Sequence, residues 1–215
     1  MDLVVYKLGG SLLSCVDLAA RLRAVLQQRP DARSLIVVGG GAAADVVRDW
    51  SHIHVLPEEA AHWLAVRSLS LNRALVRHLL PESREVSSRA AAESLWSETN
   101  RPLLLDVEAC LQEAERRDRS PLPHCWNVTS DSIAAWLSAR WDADELVLLK
   151  STSLPAELTL DEATRLKLVD PHFRHLANET PRVSWCNLRE DSANIVSWQT
   201  RFAVTAPSSL KLHRL

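Results

Sequence analysis

Apolar and polar positions alternate along the chain in a pattern that predicts strands followed by helices. Residues 3–6 and 35–38 are short apolar runs rich in β-branched side chains, which is typical of strands buried on both faces. After the first run, apolar residues recur at helical spacing at Leu18, Leu22, Val25 and Leu26, and Asp17 is placed to cap that helix. The chain therefore opens with a strand, a turn and a helix, and the second run begins the same unit again.

The alternation continues through the rest of the chain. A long helix is predicted from residues 57–59 to about residue 80, since proline and two acids open it. The other predicted strands are residues 84–86, 103–105, 145–150 and 182–186. The other predicted helices cover residues 107–117, 130–137, 161–167, a short stretch after 171, and 192–199. Strands that alternate with helices across short links predict an α/β protein with a parallel sheet.

All five glycines of the chain lie in two clusters at the first two strand ends, at Gly9, Gly10, Gly39, Gly40 and Gly41. Glycine in such a turn lets backbone N–H groups approach an anion, and the helix that follows adds its partial positive charge. The plainer interpretation is a pair of tight turns without a ligand. Two copies of the motif, with no glycine elsewhere, favour phosphate binding.

Length and composition set the class of protein. A chain of 215 residues with 47% apolar residues can bury a full core. The break at residues 120–123 predicts an N-terminal lobe of residues 1–120 and a C-terminal lobe of residues 121–215, built on one continuous sheet. A net charge of −2 argues against a nucleic-acid partner. The sequence contains no candidate membrane span, and its four cysteines are widely spaced, so we expect a soluble cytoplasmic protein with reduced thiols.

Lysine is rare in this sequence, since only Lys7, Lys150, Lys167 and Lys211 occur among 25 basic residues. Arginine is the usual cation, so a retained lysine indicates a place where a compact ammonium group is required. Lys7 and Lys150 each end a predicted strand, where open α/β sheets place their chemistry. No histidine pair has a cysteine or carboxylate at metal-site spacing, so no metal site is predicted.

Four segments, taken in order, resemble the amino acid kinase superfamily, which includes acetylglutamate, carbamate, uridylate and isopentenyl phosphate kinases. The matching segments are Lys-Leu-Gly-Gly-Ser at 7–11, Val-Gly-Gly-Gly at 38–41, Thr-Ser-Asp-Ser-Ile-Ala-Ala at 129–135 and Leu-Leu-Lys at 148–150. Residues 58–65 and 168–173 are similar to a small branch that phosphorylates an (aminomethyl)furan-methyl phosphate in C1-carrier cofactor biosynthesis. The resemblance implies an open three-layer αβα sandwich with a mainly parallel central sheet.

The resemblance also implies the cofactors and the site. It implies ATP and Mg²⁺ with a small anionic acceptor, and we expect a homo-oligomer, namely a dimer. The implied catalytic residues are Lys7, Asp131 and Lys150. The amides of Gly9, Gly10 and Ser11, together with Lys150, would hold the nucleotide phosphates. The implied acceptor-binding residues are Gly39, Gly40, Gly41 and His62.

The three exposed amides of the second glycine cluster suit a dianion, so we expect the acceptor to carry a phosphate and the product to be a diphosphate. An amino-acid carboxylate kinase is the alternative. A second alternative is a ligand-binding or regulatory protein of the same fold without turnover, because the sequence departs from the family pattern at two places. Ser-Thr-Ser-Leu-Pro at 151–155 replaces an Asp-x-x-Gly turn, and a late Gly-Gly-Met segment with its lysine is missing.

Overall fold

A mixed sheet of seven strands lies at the centre of the fold. The computed structural model of the protein describes residues 1–116, 122–176, 179 and 182–198. The strands are β1 (Leu3–Leu8), β2 (Arg33–Val38), β3 (Arg84–Val86), β4 (Leu103–Leu105), β5 (Glu145–Lys150), β6 (Arg182–Asn187) and β7 (Val196–Ser197). Their spatial order is β3-β4-β2-β1-β5-β6-β7, and every neighbouring pair is parallel except β6 with β7. The predicted parallel α/β sheet is confirmed.

Helices cover both faces of the sheet. They are α1 (Leu18–Leu26), α2 (Gly41–Ile53), α3 (Glu58–Leu79), α4 (Arg89–Glu98), α5 (Val107–Glu115), α6 (Ser130–Arg140), α7 (Leu160–Arg165) and α8 (Phe173–Leu176). A short 3₁₀ helix, Gly10–Ser14, follows β1 directly. None of the described helices combines the length and apolarity that a membrane span requires.

The central strands are buried on both faces, which explains their continuous apolar sequences. In β1, Val5 faces a core formed with α3 to α8, whereas Tyr6 faces a smaller core formed with α1 and the end of α3. Both side chains are fully buried, as are their neighbours on β2 and β5. Alternate side chains of one strand thus pack into two different cores, as is usual for parallel sheets.

Two local predictions were wrong. Asp17 makes no capping hydrogen bond to α1, and its carboxylate instead accepts from Arg21 Nε at 2.6 Å. The helix predicted for residues 192–199 is absent from the described part of that segment, where β7 pairs with β6 instead. Apolar side chains in this segment have neighbours on the sheet, so tertiary contacts decide its conformation. The division into lobes 1–120 and 121–215 stays a prediction.

Candidate active site

The two glycine turns meet at the carboxyl ends of β1 and β2. Gly9 N donates to Leu149 O at 2.9 Å, and Gly39 N donates to Leu8 O at 2.8 Å, so each turn is anchored to a neighbouring strand end. A Cβ atom added to Gly10 would lie 2.1 Å from Gly41 N and 3.0 Å from the carbonyl carbon of Gly40. Gly10 and Gly40 therefore lie at the same edge of the sheet, as predicted for a shared phosphate site.

The second turn begins α2 without a side-chain cap, because Gly40 occupies the N-cap position. Buried Asn72 on α3 donates from Nδ2 to Gly39 O and Gly40 O, both at 2.7 Å. These contacts hold the turn while the first amides of α2 keep the partial positive charge of a helix N-terminus. Sequence analysis missed Asn72, although a polar residue within an apolar helical stripe was the available signal.

Lys7, Asp131 and Lys150 form one buried ionic group, which we call the lysine–aspartate triad. Lys7 Nζ lies 2.9 Å from Asp131 Oδ1, and Lys150 Nζ lies 2.8 Å from both oxygens of the same carboxylate. Lys150 Nζ also donates to Leu168 O at 2.7 Å. The three side chains come from β1, the first turn of α6 and the end of β5. Two ammonium groups are thus held side by side at the carboxyl edge of the sheet.

Burial and charge act in opposite directions within the triad. Burial raises the pKa of Asp131, but Lys150 and Lys7 outweigh that effect and lower this pKa to about 2. Burial lowers the pKa of Lys150, and the nearby charge of Lys7 lowers it further, whereas Asp131 raises it. The net pKa of Lys150 is about 8. At neutral pH the triad therefore contains an ionised carboxylate, and Lys150 is mostly charged.

A cavity of about 190 Å³ opens beside the second glycine turn. Its walls include Lys7, Gly10, Gly40, Gly41, His62 and Trp126. Gly9, Ser11, Gly39, Asp131 and Lys150 do not border it. The structure thus brings Lys7 and Gly10 together with Gly40, Gly41 and His62, three of the four residues predicted to bind the acceptor.

His62 lies in an aromatic group on the cavity wall. Its ring stacks on His124 with centroids 4.1 Å apart, and Trp63 packs edge-on against both. His124 bonds through Nε2 to Glu115 at 2.7 Å and through Nδ1 to Glu59. Burial, with the neighbouring His124 charge, lowers the pKa of His62 to about 4. Burial also lowers the pKa of His124, but the two carboxylates outweigh it and the net shift is upward.

His62, His124 and Glu115 bring possible ligand atoms within 4.8 Å of one another. Their arrangement nevertheless suits hydrogen bonding better than metal binding. The imidazole planes are inclined by only 11°, so two in-plane lone pairs of stacked rings cannot both point at one ion. The carboxylates already engage both nitrogens of His124.

The cavity wall also contains residues that sequence analysis missed. The Arg48 guanidinium lies 4.7 Å from the ring centroid of Trp126, and its Nη1 donates to Asp45 at 2.6 Å. Arg48 comes from α2 and Trp126 from the segment before α6, so no local pattern relates them. The pair gives the cavity a flat surface, and the charge of Arg48 is balanced by Asp45, which also lines the cavity.

The loop after β5 is held without the missing Asp-x-x-Gly turn. Trp185 Nε1 donates to Thr152 O at 2.8 Å, and Asn187 Nδ2 donates to Ser153 Oγ at 2.9 Å. The hydroxyls of Ser11 and Ser151 lie 3.0 Å apart, which joins this loop to the first glycine turn. Side chains of β6 therefore hold this loop through hydrogen bonds to Thr152 and Ser153.

Comparison with solved structures supports the same fold. Uridylate kinase from Archaeoglobus fulgidus is 16% identical with a TM-score of 0.58, over 85% of this chain and 89% of that chain. UMP kinase from Ureaplasma parvum is 15% identical with a TM-score of 0.63, over 89% and 92%. Aspartate kinase from Synechocystis is 17% identical with a TM-score of 0.61, and the match covers 90% of this chain but 40% of that one.

The sequence comparisons complete the assignment. No curated protein matches the chain. The model of the amino acid kinase family matches residues 2–153, which include both glycine turns and the whole lysine–aspartate triad. The chain belongs to the amino acid kinase family and is a phosphotransferase.

Proposed function

We propose that the protein is an ATP-dependent kinase that transfers the γ-phosphoryl group to a small anionic acceptor in the cavity. The observation that supports this most strongly is the lysine–aspartate triad beside two glycine turns. Phosphoryl transfer needs in-line positioning and neutralisation of the moving charge more than covalent assistance. Two ammonium groups and nearby backbone amides supply both.

The proposed roles follow from position. Lys7 borders the cavity and contacts the triad carboxylate, so it would neutralise the transferring group between acceptor and nucleotide. Lys150, with the amides of Gly9, Gly10 and Ser11, would hold the nucleotide phosphates. The amides of residues 39–41 would hold the acceptor. Asp131 would orient both lysines without taking part in proton transfer.

Magnesium would enter with ATP on the phosphate oxygens. Mg²⁺ binds oxygen ligands that are not already paired with another cation. Both oxygens of Asp131 lie against ammonium groups, so this carboxylate does not suit a metal ion. Mg²⁺ would therefore be held by the phosphate oxygens of ATP and not by the triad carboxylate.

The proposed acceptor is a phosphomonoester such as an (aminomethyl)furan-methyl phosphate. Its phosphate would lie against the second glycine turn, and neutral His62 would offer a hydrogen bond. The Trp126 ring and the Arg48 guanidinium would lie beside a flat group. A carboxylate acceptor is the alternative, since the aspartate kinase from Synechocystis has the same fold.

A product assay tests this proposal. ADP release is measured with ATP and Mg²⁺ against (aminomethyl)furan-methyl phosphate, UMP, aspartate and acetylglutamate, and phosphorus NMR identifies the product. We expect turnover with phosphomonoesters and a diphosphate product. An Asp131→Asn preparation is the control for contaminating kinases and should lose about a hundredfold in rate.

Two results would contradict the proposal. Turnover of a carboxylate alone, giving an acyl phosphate, would assign the protein to the carboxylate kinases. ATP binding without turnover on any acceptor would favour a ligand-binding protein, the alternative supported by the missing Asp-x-x-Gly turn.

A further inference from the structure

A second buried aspartate lies behind the triad, in the segment between α7 and α8. Asp170 is 6% exposed, and its carboxylate accepts hydrogen bonds from two separate parts of the chain. From the start of α6 it accepts from Thr129 N at 2.9 Å, Thr129 Oγ1 at 2.7 Å, Ser132 N at 3.0 Å and Ser132 Oγ. From its own segment it accepts from His172 N at 3.1 Å and Phe173 N at 3.0 Å.

Asp170 acts as the cap of α6 although it lies outside that helix. Thr129 is the N-cap residue, but its side chain makes no capping bond within the helix. The carboxylate of Asp170 takes the amides of Thr129 and Ser132 instead, and its charge complements the positive end of the helix dipole. Asp131 lies between these two residues, so the same contacts fix the turn that carries it.

The segment around Asp170 also holds Lys150. Leu168 O, two residues earlier, accepts from Lys150 Nζ at 2.7 Å. One short segment therefore contacts both the lysine and the helix turn that carries its aspartate partner. In the sequence, residues 168–173 only resembled a small branch of the superfamily. In the structure, this segment holds both Lys150 and the first turn of α6.

We propose that Asp170 is a positioning residue for phosphoryl transfer, which fixes the first turn of α6 so that Asp131 holds Lys7 and Lys150 side by side. The inference rests on the proposed function, because the lysines act on phosphate only in that proposal. Asp170 itself contacts neither the cavity nor the glycine turns among the described residues.

The charge of Asp170 affects the pKa of Lys150, which can be measured separately from folding. The groups that face Lys150 are Asp131 on α6, Lys7 on β1, Asp170, and the Trp185 ring on β6 at 5.5 Å. Asp170 raises the pKa of Lys150, which burial has lowered to about 8. Removing its charge should lower that pKa further, so Lys150 would lose its proton at a lower pH.

The test replaces Asp170 with asparagine and measures rate and titration separately. We expect kcat to fall by about tenfold or more with little change in the KM of the acceptor, because an amide cannot accept all six bonds. The alkaline limb of the rate should move down by about half a pH unit. With only four lysines in the chain, carbon-labelled lysine NMR can follow the Lys150 titration without any turnover.

Glu145→Gln is the matched control, because Glu145 is a 2% exposed carboxylate at the opposite end of β5. It accepts from Ser184 Oγ at 2.5 Å and Arg29 Nε at 3.2 Å. We expect this variant to lose stability while kcat and the Lys150 titration stay unchanged.

Ser132→Ala tests the proposal if Asp170→Asn does not fold. It removes one hydroxyl donor, keeps the carboxylate, and should lower kcat by about fivefold without moving the Lys150 titration. Unchanged kcat in Ser132→Ala, or an unchanged Lys150 titration in folded Asp170→Asn, would overturn the role of Asp170. If the Lys150 titration shifts in Asp170→Asn but the native protein shows no turnover with any acceptor, the role of Asp170 beside Lys150 stands and the proposed kinase function is rejected.

Discussion

Lys7 and Lys150, two of the four lysines in the chain, share one carboxylate. Lys7 Nζ and Lys150 Nζ both lie within 3 Å of Asp131. An ammonium group is compact enough for two of them to approach a single carboxylate, whereas two planar guanidinium groups would compete for the same space. Lys167, by contrast, is exposed. We therefore expect arginine to be a poor replacement for the two lysines at strand ends.

Lys7→Arg tests whether geometry matters here in addition to charge. The charge is preserved, but the larger guanidinium cannot occupy the 5% exposed position of Lys7 beside Asp131 without moving Lys150. We expect transfer to slow by about a hundredfold, as for loss of one preorganised electrostatic contact. Lys167→Arg is the matched control and should keep its rate. A fully active Lys7→Arg enzyme would show that charge alone suffices.

At the scale of elements, the glycine turns have a packing role besides the phosphate role expected from sequence. Gly10 and Gly41 are in backbone contact, and Gly41 has φ +49°, a conformation that side chains disfavour. A Cβ at Gly39 would lie 2.8 Å from Ser130 Oγ at the start of α6. Two turns and the first turn of α6 therefore pack with no room for side chains, and this contact was not visible in the sequence.

Gly10→Ala and Gly9→Ala separate these two roles. The new Cβ of Gly10→Ala would meet Gly41 N at 2.1 Å, which forces the backbone to move, whereas that of Gly9→Ala meets Leu149 O at 3.0 Å. We expect losses in the free energy of unfolding of about 3 kcal/mol and about 1 kcal/mol respectively, measured by urea denaturation. Equal stability of the two variants would show that the turns are not packed against each other.

At the scale of the whole molecule, the sequence predicted the central strands because their apolar runs are local. It also placed the glycine turns, since strand and turn chemistry lie next to each other in the chain. It missed Asp170, whose partners Thr129 and Ser132 are about 40 residues away, and the pairing of Arg48 with Trp126. Such contacts depend on how distant segments meet, which periodicity does not encode.

The stacked histidines make global stability depend on pH, since they join α3 to the segment before α6. The pKa of His62 is lowered to about 4 in the folded protein and is near 6.5 in the unfolded chain. Between these pH values the folded state binds fewer protons than the unfolded chain. The free energy of unfolding therefore decreases as pH falls from about 6.5 to 4. Because its pKa is raised, His124 acts in the opposite sense.

His62→Gln should remove this acid sensitivity. The loss in free energy of unfolding between pH 7.5 and pH 4.5, from urea denaturation at each pH, should be about 2 kcal/mol smaller than in the native chain. His124 titrates in both proteins, so their difference reports His62 together with its coupling to His124. His78→Gln is the control, because His78 is an exposed histidine on the same helix. If the two variants lost equal stability on acidification, His62 would not be buried as a neutral imidazole beside the acceptor cavity.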